Sequence, residues 1–231
     1  MALLKEIVYD IKNIIRGGVQ SDDEIISDRQ IEFQVHSLRA QYIRQDINKR
    51  RSISDNIKQL IYCLEVEVVS GTTCGLSDDV MIVRSKKKIP SSVETAHQNL
   101  VTAIGPTGIL SANFHMIPYN RAPWAGNNRY TQRMTFAFLL DGFVYILGPE
   151  AETLENIKVE GVWQDPTRIG EYTKSDDSLC YDVETDEYPL STSMLDLIKQ
   201  AMLAQNLQPM IQMPTDRSNN ANSDVQPNAQ K

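Results

Sequence analysis

The chain has 231 residues, 41% hydrophobic and 23% charged, enough to bury a core of its own. Its formal net charge of −7 argues against a surface built to coat nucleic acid. No apolar run reaches the roughly 18 residues needed to span a membrane. The opening MALLKEIVYDIKNIIRGG mixes acids and lysines into its apolar pattern, so secretion is not expected.

In chain order, Leu3, Leu4, Ile7, Val8, Ile11, Ile14 and Ile15 recur at helical spacing, and Gly17-Gly18 ends the pattern. Ser21 with Glu24 then reads as a capping box, with Asp22 and Asp23 at the positive end of the helix dipole. Lys49, Arg50 and Arg51 suit the other end, which predicts a helix of about 27 residues. At about 100° per residue, Ile31, Val35, Leu38 and Tyr42 form one apolar stripe, and Phe33, Ala40, Ile43 and Ile47 form another roughly opposite. Two stripes mean burial on both sides, either within the chain's own bundle or against a neighbouring subunit.

From residue 60 the period changes to two. Residues 61–69 alternate apolar and acidic side chains and read as a strand; residues 79–85 read as another. In FAFLLDGFVYILG, Asp141-Gly142 separates two β-forming runs and predicts a type I′ hairpin. Residues 157–163 add a strand ended by Asp165-Pro166. After the acidic connector TKSDDSLCYDVETDEYP, the spacing of Leu190, Met194, Leu195, Leu197, Ile198, Met202 and Leu203 predicts a last helix, opened by Ser191 or Thr192. The polar tail from Thr215 cannot bury enough apolar surface to fold alone. The expected architecture is α+β. N- and C-terminal helices (residues 1–58 and 189–208) form a helical bundle, a small antiparallel β-domain (59–188) is inserted in the middle, and 209–231 form an extended or disordered arm.

Reaction chemistry is sparse. Cys63, Cys74 and Cys180 are odd in number and far apart, which points to free thiols in a reducing compartment. His36, His97 and His115 have no partners at a recognised metal-ligand spacing, and GPTGIL lacks the Gly-Lys-Ser/Thr ending of a phosphate loop. The cluster Arg84, Lys86, Lys87 and Lys88 is either a solvated loop or a contact to nucleic acid or an acidic partner. Acids at 176–177 and 182–187 lack the glycine and spacing of a calcium loop. Aromatics concentrate in IPYNRAPWAGNNRYTQRMTFAF, where prolines, glycine and asparagines predict a long irregular loop. Its Tyr119, Trp124 and Tyr130 suit either an interface anchor or a loop folded over a buried Trp124.

Several of these segments together, EIVYDIKNIIRGG, SDDEIISDRQIEF, RAQYIRQD, KKIPSSVET, NNRYT, VEGVWQDP, DEYPLSTSMLDLIKQAML and MPTDRSNN, resemble virion structural proteins of crAss-like phages. These are similar to the ring and adaptor proteins of the portal–tail assembly. The resemblance implies a homo-oligomeric ring, twelvefold to match the portal, stacked against the portal or neighbouring tail rings, with DNA passing through its lumen. It implies no enzymatic activity, no cofactor and no metal. Phe33, Ala40, Ile43, Ile47, Tyr119, Trp124 and Tyr130 are the expected subunit-interface residues, and Phe33→Asp or Ile43→Asp is expected to leave a soluble chain unable to close rings. Two alternatives are a helix-turn-helix nucleic-acid module and a divalent-metal-dependent hydrolase using the acids of 176–187.

Overall fold

A computed structural model describes residues 2–15, 26–50, 53–70, 81–96, 99–108, 111–149 and 151–207. Its largest element is one seven-stranded sheet, in the order β3-β7-β1-β2-β6-β5-β4. The strands are β1 (Gln59–Ser70), β2 (Met81–Ser85), β3 (Val101–Pro106), β4 (His115–Met116), β5 (Phe136–Leu140), β6 (Phe143–Leu147) and β7 (Asn156–Gly161). The long β1 serves two partners: its first half runs antiparallel to β7, and its second half, beyond an irregularity between Ile61 and Leu64, runs antiparallel to β2. The outer strands come back towards each other, because the Phe114 N–H just before β4 donates to the Ile104 carbonyl of β3 at 2.7 Å. The sheet therefore curls almost into a barrel.

Alternation dictates what the curl encloses. Ile61, Leu64 and Val66 of β1 and Ile157 and Val159 of β7 point into one core, where Val83, Ile104, Ala137, Val144 and Ile146 meet them from other strands. Trp163, Ile169, Tyr172 and Tyr181, from the segment after β7, join the same core. Asp141 and Gly142 take φ of 52° and 82°, the left-handed pair that a type I′ turn requires, and Leu140 pairs with Phe143.

Among the described residues three α-helices lie beside the sheet: α1 (Leu4–Ile15), α2 (Asp28–Arg50) and α3 (Thr192–Ala201), the last continued by a π-helical turn over Met202–Leu207. The predicted Ser21–Glu24 capping box lies outside the described residues; the described α2 opens at Ser27, whose hydroxyl accepts the Gln30 N–H at 3.3 Å. Ser191 caps α3 by accepting the Met194 N–H at 3.4 Å. Ile31, Val35 and Leu38 of α2 pack with Leu4, Ile7, Val8 and Ile11 of α1 and with Ile198, Ala201 and Met202.

The expected helical bundle with a small inserted β-domain is incorrect. The sheet is the main body, and the helices cover part of it. Two features of the sequence account for the difference. β3 and β4 carry Gly105-Pro106 and only two residues respectively, so neither shows alternation long enough to identify. The second apolar stripe of α2 meets the β-region instead of a fourth helix: Ile43 and Ile47 pack with Ile57, Val93, Leu100 and Val162.

Candidate functional site

The junction between α2 and the sheet is built around Arg39, a residue whose charge places it on the polar flank of α2 by sequence alone. It is fully buried, at 0% exposure. Its Nε donates to the Pro189 carbonyl at 2.8 Å, Nη1 to the Trp163 carbonyl at 2.7 Å and Nη2 to the Ile57 carbonyl at 3.3 Å. One guanidinium thus ties together the chain before β1, after β7 and before α3, as only a rigid five-donor fork can. The Tyr188 ring lies beneath it, 5.7 Å from the guanidinium carbon. No signal in the sequence separates this arginine from the solvated ones, because its acceptors are main-chain carbonyls.

His36 sits one helical turn earlier. Burial pushes its pKa below the ordinary value, partly opposed by Asp165. Burial pushes the Tyr188 phenol up, which keeps it protonated, and its hydroxyl shares a 2.7 Å hydrogen bond with His36 Nδ1 whose direction follows the imidazole tautomer. Nε2 faces Asp165 Oδ1 at 3.6 Å. Asp165 is itself engaged, accepting the N–H and hydroxyl of Thr167. Both ring nitrogens therefore point at structural partners, which fits a satisfied histidine of the junction better than a general base.

Outside this junction lies an open groove of about 680 Å³, lined by Phe33, Ser37, Ala40, Gln41 and Arg44 of α2 and by Pro90, Ser91, Gln164 and Arg168. The expected interface stripe divides here. Ile43 is 0% exposed and Ile47 is buried, both packed against their own chain, while Ala40 is partly buried beside them and lines the groove. Phe33, 68% exposed, is the stripe's solvent-facing member.

The second candidate surface is the loop after β4. It folds as a 3-10 helix over Tyr119–Trp124 followed by turns. Tyr119 rests on Phe138 of β5, ring centroids 5.7 Å apart, and is half exposed. Trp124 and Tyr130 project, at 71% and 84% exposure, so Trp124 is not buried under the loop.

The charged clusters are largely consumed locally. Arg84 pairs with Glu67 at 2.5 Å and Lys86 with Glu65 at 2.8 Å across the β1–β2 ladder. Lys88 and Arg84 flank the Phe143 ring, and Lys87 lies over Tyr172. This leaves little of the basic cluster for phosphates. Among the acids, Asp176 accepts the N–H and hydroxyl of Ser178, and Asp182 accepts the Glu184 N–H and the Thr185 hydroxyl. Glu184 pairs with Lys5 at 2.6 Å. These acids are turn caps. Among the described residues no group of three or more His, Cys, Asp or Glu side chains is arranged to hold a metal. Cys63 and Cys180, distant in sequence, are free thiols near enough for Cys63 to help raise the Cys180 pKa, although burial is the larger cause. His97 and Cys74 lie outside the described residues.

The junction and the two surfaces therefore offer packing and exposed aromatics rather than reaction chemistry. No match was found among curated proteins. The family model of phage tail ring protein 2 matches residues 6–225, from the third residue of α1 into the polar tail. A match over nearly the whole chain, on a subunit whose unspent features are surface aromatics, places it: the chain belongs to the phage tail ring protein 2 family of crAss-like phages, structural ring-forming proteins of the virion.

Proposed function

We propose that the chain is a non-enzymatic, homo-oligomeric ring of the portal–tail assembly, with twelve copies around the DNA channel. It would stack on the portal or on neighbouring tail rings. The observation that carries this reading is the family match across residues 6–225. The surfaces support it: Phe33 at the α2 groove and Tyr119, Trp124 and Tyr130 on the loop are large apolar side chains that the chain leaves uncovered. Exposed aromatics of this kind are enriched as anchors in protein interfaces. The net charge of −7 suits a lumen through which DNA slides without sequence-specific binding. No helix among the described residues is long and apolar enough to cross a membrane.

Electron microscopy of the purified protein and of the virion tests this directly. A closed ring of twelve subunits on the tail axis is the expected result. A protein that stays monomeric at all concentrations, or density away from the axis, overturns it.

A further inference from the structure

Between Glu94 and Asp141 the chain contains no acidic residue at all, in a protein whose net charge is −7. That stretch contains the exposed loop. Arg121, Arg129 and Arg133 are all exposed on it, interleaved with Tyr119, Trp124 and Tyr130, and none of the three arginines forms an ion pair among the described residues. The opposite composition lies elsewhere: residues 171–187 hold seven carboxylates against one lysine, nearly all exposed. Two large apolar side chains surface beside those acids, Leu179 at 46% and Tyr62 at 43% exposure. The Lys174 ammonium lies 5.7 Å from the Tyr62 ring, which fixes Tyr62 next to the acidic segment.

The two patches hang on different parts of the fold. The loop is seated on β5 through Tyr119 and Phe138. The acidic segment is held by Tyr62 of β1 and, through Glu184, by Lys5 of α1. One chain thus carries two mutually complementary surfaces, basic–aromatic and acidic–apolar, seated on different elements of the fold. Such a pair makes a head-to-tail contact between copies, and head-to-tail contacts generate rings when the rotation closes.

We propose that the 117–135 loop of one copy docks on the 171–187 segment of the next copy, with Trp124 and Tyr130 against Leu179 and Tyr62 and the arginines against the carboxylates. This rests on the ring reading above and names its lateral contact. The full chain tests it by charge reversal. One variant carries Arg121→Glu, Arg129→Glu and Arg133→Glu; a second carries Glu171→Lys, Asp177→Lys and Glu187→Lys with Glu184→Gln and Asp186→Asn, which with Lys174 turns the segment net positive while sparing the turn-capping Asp176 and Asp182 and an acceptor for Lys5. Alone, each variant presents like charges at every contact, and mass photometry is expected to show loss of the ring species. Mixed one to one, opposite charges meet at both kinds of contact, and rings of alternating subunits are expected to return. A misfolded variant cannot be rescued in this way, so the mixture separates lost docking from lost folding.

If the unmodified chain forms rings and both variants do too, the docking is overturned while the ring reading stands. Rings that fail in variants melting like the parent, and that do not return on mixing, also overturn it. If the unmodified chain forms no ring at all, the ring reading falls and the docking with it. If the loop variant keeps its rings but loses a salt-sensitive affinity for duplex DNA, the loop faces phosphates instead.

Discussion

Replacing Arg39 with methionine keeps most of the side-chain volume and removes all five donors. The two short bonds, at 2.7 and 2.8 Å, are charge-assisted and contribute about 1.5–3 kcal/mol each; the 3.3 Å bond to Ile57 contributes less. Set against them is the cost of keeping a guanidinium out of water, which Arg39→Met removes. Because the Pro189, Trp163 and Ile57 carbonyls stay buried with no donor, the loss dominates, at about 3 kcal/mol net. For a chain of this size each kcal/mol moves the melting temperature by about 2–4 °C, so calorimetry is expected to find Arg39→Met melting roughly 6–12 °C below the parent. Arg39→Lys is expected to recover less than half of that loss, since one compact ammonium cannot reach carbonyls in three separate segments. An Arg39→Met variant melting within about 2 °C of the parent would refute the idea that this side chain holds the helices to the sheet.

Other outcomes follow from the same geometry. Burial holds the His36 pKa below its unfolded value, so its contribution is present above about pH 6.5 and is lost as pH falls through the lower folded value. Denaturant titrations between pH 7 and 5 are expected to show stability falling by at most about 1.4 kcal/mol per pH unit from this group, and His36→Gln is expected to flatten that slope. Gly170→Ala would place a methyl 2.7 Å from the Tyr181 carbonyl oxygen, a main-chain collision expected to cost about 1–3 kcal/mol in chemical denaturation. At Gly142 there is room, the nearest atoms lying 3.7 Å away on Lys88, so Gly142→Ala is expected to cost only the left-handed φ, about 1–2 kcal/mol. Ile43→Asp is expected to unfold the chain, by about 4 kcal/mol or more, because its site is sealed. Phe33→Asp is expected to change stability by less than about 0.5 kcal/mol and to impair only assembly, read as normal melting with fewer rings.

Local patterns were the most legible part of the sequence. The Asp141-Gly142 hairpin and the Ser191 cap are determined by residues a few positions apart and are found as read, while β1 and β7 form where alternation places them, β1 with an irregularity between Ile61 and Leu64 and β7 ending at Gly161 instead of Trp163. What the sequence hid depends on partners far along the chain. The two stripes of α2 announce burial on both sides, but periodicity does not reveal whether Ile43 meets another helix, another subunit or, as here, Val93, Leu100 and Val162. Arg39 was concealed for the same reason, since its acceptors are carbonyls at residues 57, 163 and 189. The loop was legible as irregular and aromatic; that Trp124 projects while Trp163 is fully enclosed is a distinction made only by the folded sheet.

The hydrogen bond from Phe114 to Ile104 joins the two rims of the sheet, and the outermost strand, β4, is only two residues long. At the β4 edge little main chain is therefore offered, so adding strands from copy to copy there is a poor route to assembly for this subunit. Adhesion must then come from side chains, which can be altered one at a time without touching the scaffold. A protein of this build can change which neighbours it accepts while its fold stays the same.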